Sequence, residues 1–441
     1  MKYSIGCNRY WILGCFLLQA NLFGVHAQQT SRLLPVDELF RLGLENSLRL
    51  KADKIEEVIS NEQQKTALIN RLPTIQVDAT TGVIGQPVIF RSGLSHPLRP
   101  DVPNWSQNYN VELTQPLYQG GKIHYTIRKA DLQKQISALN TSNDESDAKL
   151  TLLKQYMDLF CFYKQREVLA RNIEESEQRL KDIARMKKEG LLTKNDEIRS
   201  ELQLTNDRLA HQEAENSISI ASQQLDILLG LDEALLIVPD STILYSAVHL
   251  QDYETYVQLA NDNYPGIQIA RYNIRLAEND IRLTKANYLP NVLLHARNTL
   301  ARPLSSSMED LYNNNWNMSL SFSYNLSSLY QNKHKMREVK QVVRLRQNAE
   351  EQLMKDIRIN VRTAYTRHKE ALDRVDALKL SVKQAEENYR IVRNRYMNQL
   401  SILTDLLDAS NVRLDAELQL TVARSRVIYT YYELQRACGN L

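Results

Sequence analysis

Cysteine is scarce in this sequence, and a disulfide-stapled fold is not expected. Four of the 441 residues are cysteines, and they stand singly at Cys7, Cys15, Cys161 and Cys438. Small disulfide-rich domains have several cysteines at close, regular spacing, which this chain does not have. A strong charge of one sign is also missing, because the formal net charge is only +3. Since nucleic-acid-binding domains carry a pronounced basic surplus, we expect no nucleic-acid partner.

Long apolar runs are missing from the chain after its first residues. Residues 1–27 have the features of a secretory signal peptide: Lys2 and Arg9, an apolar stretch from Trp11 to Phe23, and Ala27 at the expected cleavage point. Beyond them no run of about 18 or more apolar residues occurs, so no bilayer-spanning helix is predicted. An exported chain of this kind is either soluble or enters a membrane as β-strands.

Proline is absent between Lys122 and Gly230, and the only glycine inside that stretch is Gly190. Because these two residue types most often end a helix, the sequence predicts one helix over residues 122–188 and another over 194–229. The first would have about 67 residues and a length on the order of 100 Å, far beyond the helices of a compact core. The pair is therefore predicted to form a long antiparallel helical hairpin with its tip near Gly190.

The same pattern occurs twice in the chain. Gly190–Asp196 aligns with Gln399–Asp405 about 209 residues later, and Leu72-Pro73 aligns with Leu289-Pro290 at a shift of about 217 residues. A shift that changes only once, by about eight residues, indicates a duplicated unit with one loop longer in the first copy.

Each unit would contain a helix, two strands and a long helical hairpin. The first helix would cover residues 36–71 in the first unit and 252–287 in the second, where Tyr264-Pro265-Gly266 breaks it. We expect a loop at about residues 85–103 between the first two strands, and a connector over residues 231–251. The predicted organisation is a signal peptide at 1–27, a first repeat at 28–240 and a second repeat at 241–441.

Four segments alternate between apolar and polar residues, as β-strands with one apolar face do. They are residues 74–83, 108–114, 291–299 and 315–325. Two strands per repeat are marginal in water, so we expect them to pair with strands of other chains, as in a closed barrel. The apolar side chains would then face lipid, and the polar ones a water-filled lumen.

The helix predicted from Thr404 to Gln435 carries apolar or small residues at a seven-residue spacing along two flanks. One such row is Leu407, Leu414, Thr421 and Ile428. A coiled coil of two helices needs only one apolar seam. Two seams are typical of a helix with a neighbour on either side, as in the wall of a cylinder, although a helix buried in a bundle would show them too.

Together these features resemble the outer-membrane efflux protein family, the TolC-like exit ducts. The residues that carry the resemblance are the Leu-Pro pairs before the strands, Leu113–Lys122 at a strand exit, and the two tips, Gly190–Asp196 and Tyr396–Ala409. The resemblance covers essentially the whole chain after the signal peptide. It implies a mainly α fold with a small β part. Long antiparallel helical hairpins would form an α-barrel, and four strands per chain would contribute to a trimeric twelve-stranded transmembrane β-barrel.

The resemblance also implies partners and a location. The protein would be a homotrimer in the outer membrane of a Gram-negative bacterium, in contact with outer-membrane lipid and extending into the periplasm. A periplasmic adaptor (membrane fusion) protein and an inner-membrane pump, either RND-type or an export ATPase, would complete the machine. The duct itself would be passive, and the pump would supply the energy.

Two aspartates near the second tip, Asp405 and Asp408, are three residues apart and therefore lie on one helix face. The resemblance places the constriction aspartates of the family at these two positions. Around a threefold axis they would form rings of carboxylates, which favour cations. Alternatively, they are first-turn acids that stabilise the helix dipole.

Asp196 and Tyr396 match family residues that hold neighbouring hairpins closed, and they complete the predicted periplasmic gate. Asp196 could equally complete a capping box with Thr193. The family commonly has glycine where this chain has Gln399, and some members have a gating arginine where it has Ser401, so an arginine-dependent latch is not expected. The tip residues predicted to contact the adaptor are Gly190, Leu191, Thr193, Gln399, Leu400 and Ser401.

The sequence shows no motif of an enzyme or of a metal site. Gly120-Gly121-Lys122 lacks the spacing of a phosphate-binding loop, His-Glu-x-x-His does not occur, and the eight histidines are scattered singly. We therefore expect no catalytic residue, no cofactor and no metal. Two rival hypotheses stay open at this point. One is a soluble periplasmic coiled-coil adaptor or scaffold protein, and the other is a secreted hydrolase on a helical scaffold.

Overall fold

The computed structural model describes residues 31–242, 250–303 and 309–441. The predicted signal peptide, residues 1–27, lies outside the described residues. The first half contains β1 (Ser31–Leu34), α1 (Val36–Asn46), α2 (Leu48–Ile69), β2 (Thr74–Val83), β3 (Ile89–Ser92), β4 (Ser95–Leu98), β5 (Trp105–Gln119), α3 (Lys122–Lys188), α4 (Lys194–Leu229) and β6 (Leu236–Pro239). The second half contains α5 (Tyr253–Asn263), α6 (Pro265–Ala286), β7 (Asn291–Arg302), β8 (Asn313–Ser323), α7 (Ser328–Met397) and α8 (Leu403–Ala437). The predicted mainly α fold with a small β part and long antiparallel hairpins is confirmed.

The helices of the two halves correspond in length. α1 and α5 have 11 residues each, and α2 and α6 have 22 each. α3, with 67 residues, corresponds to α7, with 70, and α4, with 36, corresponds to α8, with 35. The bounds predicted for α3 and α4 are confirmed. The division of the chain between residues 240 and 241 stays a prediction.

The first predicted helix is in fact two helices. We expected one helix over residues 36–71, but α1 ends at Asn46 and α2 follows after a single residue. That residue, Ser47, has a ψ of 115°, and its hydroxyl accepts a hydrogen bond from the N–H of Leu50 at 3.3 Å. Serine is a favourable N-cap, so it can begin a new helix without a proline to mark the break. The equivalent break in the second half, before Pro265, was predicted and is confirmed.

The main sheet has four antiparallel strands in the order β2-β5-β7-β8. All four predicted strands are present. β5 covers 105–119 where alternation predicted 108–114, and β7 continues to Arg302 rather than Thr299. β8 lies two residues earlier at each end than predicted. The extensions arise because strand pairing continues past the residues that alternate.

The strand register places apolar residues from all four strands on one face of the sheet, called the apolar face below. One row across this face is Ile75, Leu113, Ala296 and Met318. The next row lies on the opposite, polar face and consists of Gln76, Glu112, Arg297 and Asn317. Glu112 and Arg297 form a salt bridge there. Large apolar side chains of β2 and β8 are exposed in the single chain, up to 74% for Trp316.

Two short strand pairs were not predicted. β3 and β4 form a hairpin inside the loop expected between β2 and β5. β1 pairs in parallel with β6, which lies in the segment 231–251 that we expected to be only a connector. Strands of four residues are too short to show an alternating pattern, and a parallel pairing over such a sequence distance leaves no local signal.

The helices α2, α3, α6 and α7 pack side by side in the same order as the strands to which they connect. α4 packs on α3, and α8 packs on both α7 and α3. One core cluster surrounds Tyr156 and includes residues of β1, β6, α1 and α4, a second joins α5 to α7 and the end of α8, and a third lies near the hairpin tips. In the described parts of the chain, no helix is both long and apolar enough to cross a membrane.

Candidate functional site at the hairpin tips

The two hairpin tips are built by the same turn. Gly190 has a φ of 77° and Gln399 a φ of 62°, so both residues adopt the left-handed conformation. In each tip the next residue donates its N–H to a carbonyl five residues back: Leu191 to Met186 at 2.9 Å, and Leu400 to Arg395 at 2.8 Å. These bonds satisfy carbonyls that the end of a helix leaves free. The predicted adaptor-contacting residues are all exposed except Ser401, which is half-buried, and their role stays a prediction.

Asp196 completes a capping box with Thr193, as one of the two interpretations of the sequence predicted. The Asp196 carboxylate accepts hydrogen bonds from the backbone N–H of Thr193 at 3.0 Å and from its hydroxyl at 2.6 Å. In return the Thr193 hydroxyl accepts from the N–H of Asp196 at 3.3 Å. The bonds from the Thr193 hydroxyl and backbone lower the pKa of Asp196. A role of Asp196 in holding neighbouring hairpins together is not tested by a single chain and stays a proposal.

Tyr396 belongs to the cluster of buried residues near the tips. It is only 4% exposed and packs with Ile183, Tyr389, Leu403 and Leu406. Its hydroxyl has no hydrogen-bond partner among the described residues. Burial and the negative charge of Asp196 raise the pKa of Tyr396 to about 12. The structure therefore brings Tyr396 and Asp196 near each other, without a direct hydrogen bond between them in one chain.

Asp405 and Asp408 lie side by side on the exposed face of α8, as their spacing predicted. The opposite face carries Leu403, Leu406 and Ala409, which are buried in the cluster near the tips. The Ser401 hydroxyl donates a hydrogen bond of 2.6 Å to the Asp405 carboxylate. Asp405 is in the first turn of α8, so the helix-dipole interpretation holds for it whether or not it has a further role.

The first tip also carries a cluster of charges that the sequence analysis did not single out. The Glu197 carboxylate lies 2.6 Å from the Lys187 ammonium group and 2.5 Å from that of Lys194. The hydrogen bonds from Lys187 and Lys194 lower the pKa of Glu197 to about 2. Because Lys187 belongs to α3 and the other two residues to α4, the cluster joins the two helices beside their turn.

Three turns above the tips, a buried polar network joins α3, α4 and α8. The Arg179 guanidinium donates to the hydroxyls of Ser176 and Ser410, at 2.5 and 3.1 Å. The Ser176 hydroxyl in turn donates to the Asp207 carboxylate at 2.6 Å. All four residues are more than nine-tenths buried. Sequence reasoning missed this network, because an arginine among many charged helix residues gives no signal that it faces the interior.

No group of three or more histidines, cysteines or acidic residues is placed to hold a metal ion in the described ranges. The described residues at the tips form turns, helix caps and exposed carboxylates. Their chemistry is that of a charged surface at the end of a long helical rod.

Comparison with known proteins gives a consistent result. The family model described as "Outer membrane efflux protein" matches residues 256–440, so the resemblance seen in the sequence is confirmed for most of the second half. Among curated protein sequences there is no significant match. Solved structures with the same fold align with almost the whole chain. Their sequence identities to this chain are low, so these matches establish the fold only.

Three of these structures are outer-membrane proteins. VceC from Vibrio cholerae has a TM-score of 0.75 and 16% identity, over 92% of this chain and 96% of that one. The MtrE outer-membrane channel of Neisseria gonorrhoeae has a TM-score of 0.72 and 18% identity, over 92% and 88%. The CmeC outer-membrane channel of Campylobacter jejuni has a TM-score of 0.71 and 15% identity, over 92% and 85%.

Proposed function

We propose that the protein is a trimeric outer-membrane channel and serves as the exit duct of a tripartite efflux or secretion system. The observation that carries this proposal is the four-stranded sheet, whose apolar face and two edge strands are left without a partner by the described parts of the chain. In water an exposed apolar face and two open edges would promote aggregation. In a membrane the same face is favourable, provided that the edges are closed.

If other copies of the chain extend the sheet into a closed barrel, both edge strands gain hydrogen-bond partners. β2 and β8 are the edge strands, and within the described parts of the chain each has unpaired backbone groups along one side. If β8 of one chain pairs with β2 of the next, three chains give twelve strands in a closed barrel. The apolar face then contacts outer-membrane lipid, and the polar face, with Glu112 and Arg297, lines the lumen.

The helices supply the second part of the duct. α3 and α7 each follow directly from a strand of the sheet, so they continue away from the membrane on one side. At about 1.5 Å per residue, the 67 residues of α3 extend on the order of 100 Å. Three chains arranged around an axis would form an α-barrel that crosses much of the periplasm of a Gram-negative bacterium.

The hairpin tips then lie at the periplasmic end, where the partners would dock. Asp405 and Asp408 are proposed to form the carboxylate rings of the constriction, with Asp196 and Tyr396 between neighbouring hairpins. The exposed tip residues around Gly190 and Gln399 are proposed to contact a periplasmic adaptor protein. The adaptor would connect the duct to an inner-membrane pump, either RND-type or an export ATPase, which supplies the energy because the duct itself is not an enzyme.

Membrane fractionation of the full-length protein tests this proposal against a soluble adaptor or scaffold. The expected result is that the protein stays with outer membranes through salt and alkaline washes and is released only by detergent. Release by the washes would overturn the proposal.

A matched pair of variants sharpens the test. Leu320→Arg places a charge on the apolar face and should prevent stable insertion, at a cost of about 2–4 kcal/mol near the middle of the bilayer. Ser319→Arg, on the polar face, should insert like the wild type.

A further inference from the structure

A small cavity lies between α3, α7 and α8, within about three helical turns of the tips. Its volume is about 90 Å³, several times the roughly 10–15 Å³ that one water molecule needs on the same measure. The residues that line it include Arg179 and Asp182 from α3, Arg393 and Tyr396 from α7, and Leu406 from α8. The cavity therefore has both room and polar walls for a molecule of several atoms.

Two buried donors at this cavity have no hydrogen-bond partner in the described chain. They are the Nε–H of Arg179 and the hydroxyl of Tyr396. Arg179 is 7% exposed and Tyr396 is 4% exposed, so bulk water does not satisfy either group. A buried donor loses its hydrogen bonds to water on folding, so native structures usually provide an acceptor for it.

The acidic residues around the cavity already have partners of their own. Both carboxylate oxygens of Glu175 accept hydrogen bonds from Arg413, at 3.3 and 2.5 Å. Asp182 accepts from Gln178 at 3.2 Å and lies 3.9 Å from Arg185. Glu175 is therefore committed to Arg413, whereas the second carboxylate oxygen of Asp182 accepts no hydrogen bond from the described residues. Neither carboxylate accepts a hydrogen bond from Arg179 or Tyr396 within the described chain.

Arg179 is the buried cation of this cavity, whose lining also includes Glu175, Asp182 and Arg393. Arg179 makes its hydrogen bonds to two serine hydroxyls, and among the described residues no carboxylate lies within 4.0 Å of its guanidinium. A buried cation is expected to have an anionic partner, because burial without one is costly. Arg393, which is exposed at the mouth of the cavity, has no salt-bridge partner in the described ranges either.

We propose that this cavity binds a small oxyanion, of the size of phosphate, sulfate or a short carboxylate. One oxygen of the anion would accept the Arg179 Nε–H and another the Tyr396 hydroxyl, while Arg393 adds positive charge from the open side. The bound anion would connect α3 of the first half to α7 of the second. The proposal concerns packing within one chain, so it stands or falls independently of whether the protein is a channel.

The test is thermal unfolding of the full-length protein purified in detergent, at constant ionic strength in an oxyanion-free buffer. Phosphate, sulfate and acetate are added separately in the millimolar range, with chloride as the balancing anion. The expected result is a saturable rise of the wild-type midpoint. A response to phosphate and sulfate but not to acetate identifies an inorganic anion, and a response to acetate alone identifies a carboxylate.

Conservative variants separate specific binding from a general salt effect. Tyr396→Phe removes one donor and should weaken the apparent affinity about tenfold or more, because a hydrogen bond to a charged acceptor is lost. Arg393→Gln changes an exposed residue, so it should fold normally and also bind more weakly. Tyr163→Phe is the matched control, since the Tyr163 hydroxyl is also buried without a partner among the described residues but does not line this cavity.

The proposal is supported if Tyr396→Phe and Arg393→Gln lose the response while Tyr163→Phe keeps it. It is overturned if the wild type does not respond, which would mean that the cavity holds water only. It is overturned equally if all four proteins respond alike, since that is the behaviour of a general salt effect.

Discussion

Gln399 and Gly190 adopt the same left-handed backbone conformation at the two hairpin tips, with φ angles of 62° and 77°. Glycine adopts this conformation without steric cost, whereas a residue with a Cβ atom is strained there by about 1–2 kcal/mol. The second tip therefore carries a strain that the first tip avoids, although both are closed by the same turn.

Replacing Gln399 by glycine should relieve this strain. We expect Gln399→Gly to raise the free energy of unfolding by about 1 kcal/mol per chain, measured from the shift in thermal or denaturant midpoint. Asn398→Gly is the matched control. Asn398 has a φ of −94°, where glycine gives no relief, and its side chain donates a hydrogen bond to the carbonyl of Asn394. The control should be less stable than the wild type, and an equal effect of both variants would refute the explanation.

The hydroxyl of Tyr156 joins the two unpredicted short strands to the helical core. It donates a hydrogen bond to the carbonyl of Leu34 and accepts one from the N–H of Asp240, each at 2.7 Å. Burial raises the pKa of Tyr156 to about 12, so this hydroxyl stays protonated at any physiological pH. Tyr156→Phe removes a hydrogen bond from each of two backbone groups, one buried and one partly buried, and should destabilise the protein by about 2 kcal/mol.

Tyr163→Phe is a suitable control for that measurement, because the buried Tyr163 hydroxyl has no partner among the described residues. It should be neutral or slightly stabilising in the same denaturation assay. Limited proteolysis offers a second measurement, since weakened anchoring of β1 should expose the chain near Leu34 to cleavage in Tyr156→Phe alone. Equal stability of Tyr156→Phe and the wild type would contradict the assigned role.

A buried histidine should make the packing of α7 on α8 depend on pH. His368 is fully buried, with Nδ1 3.0 Å from the hydroxyl of Thr430, and burial lowers its pKa. In the unfolded chain the pKa is ordinary, about 6.5, so the unfolded state takes up a proton first as the pH falls. The stabilising contribution is therefore complete above about pH 6.5 and declines below it, until His368 is protonated in the folded state too.

Thermal midpoints measured across the range from neutral to mildly acidic pH check this expectation. His368→Gln should lose less stability than the wild type as the pH is lowered through about 6.5. His334→Gln, which changes an exposed histidine of the same helix, should follow the wild type. If the wild type and His368→Gln decline in parallel, His368 does not cause the pH dependence.

The long helices and the amphipathic strands could be predicted because their signals are local. The absence of proline from residues 122–230, together with the single internal glycine Gly190, indicated the bounds of α3 and α4. The alternation of apolar and polar residues indicated the central part of each strand. Other features depend on which surfaces meet in space. The break between α1 and α2 is marked only by Ser47, and serine also occurs inside uninterrupted helices. The pairing of β1 with β6 and the burial of Arg179 have no local pattern at all.

The candidate site was predictable to a similar extent. The spacing of Asp405 and Asp408 placed them on one face, and that placement is what the structure shows. For Asp196 the sequence allowed either a capping box or a link between hairpins, and it could not choose, because a short side chain can serve both. The structure shows the capping box with Thr193. A link between hairpins of different chains depends on a neighbour that one chain cannot supply.

The proposed constriction is tested by removing its carboxylates. The double variant Asp405→Ala and Asp408→Ala should change single-channel conductance and reduce cation preference in planar bilayers, because carboxylate rings favour cations. Asp373→Ala with Asp376→Ala is the matched control. These two aspartates are also exposed and three residues apart, but they lie on α7 roughly 30–35 Å from its end at the tip. Unchanged currents in the first double variant would remove Asp405 and Asp408 from the gate.

The central claim is that one chain supplies a third of a closed wall, and the pairing of β2 with β8 between chains tests it most directly. A cysteine at Asp78 on β2 would be combined with a cysteine at Asn313, Asn315 or Asn317 on β8, and oxidised in native membranes. The account predicts that at least one combination gives covalent trimers, and that the detergent-extracted complex contains three chains. A pair at Asp78 and Asn110, on adjacent strands of one chain, should link only internally. A water-soluble monomer with no cross-link between β2 and β8 would contradict the account.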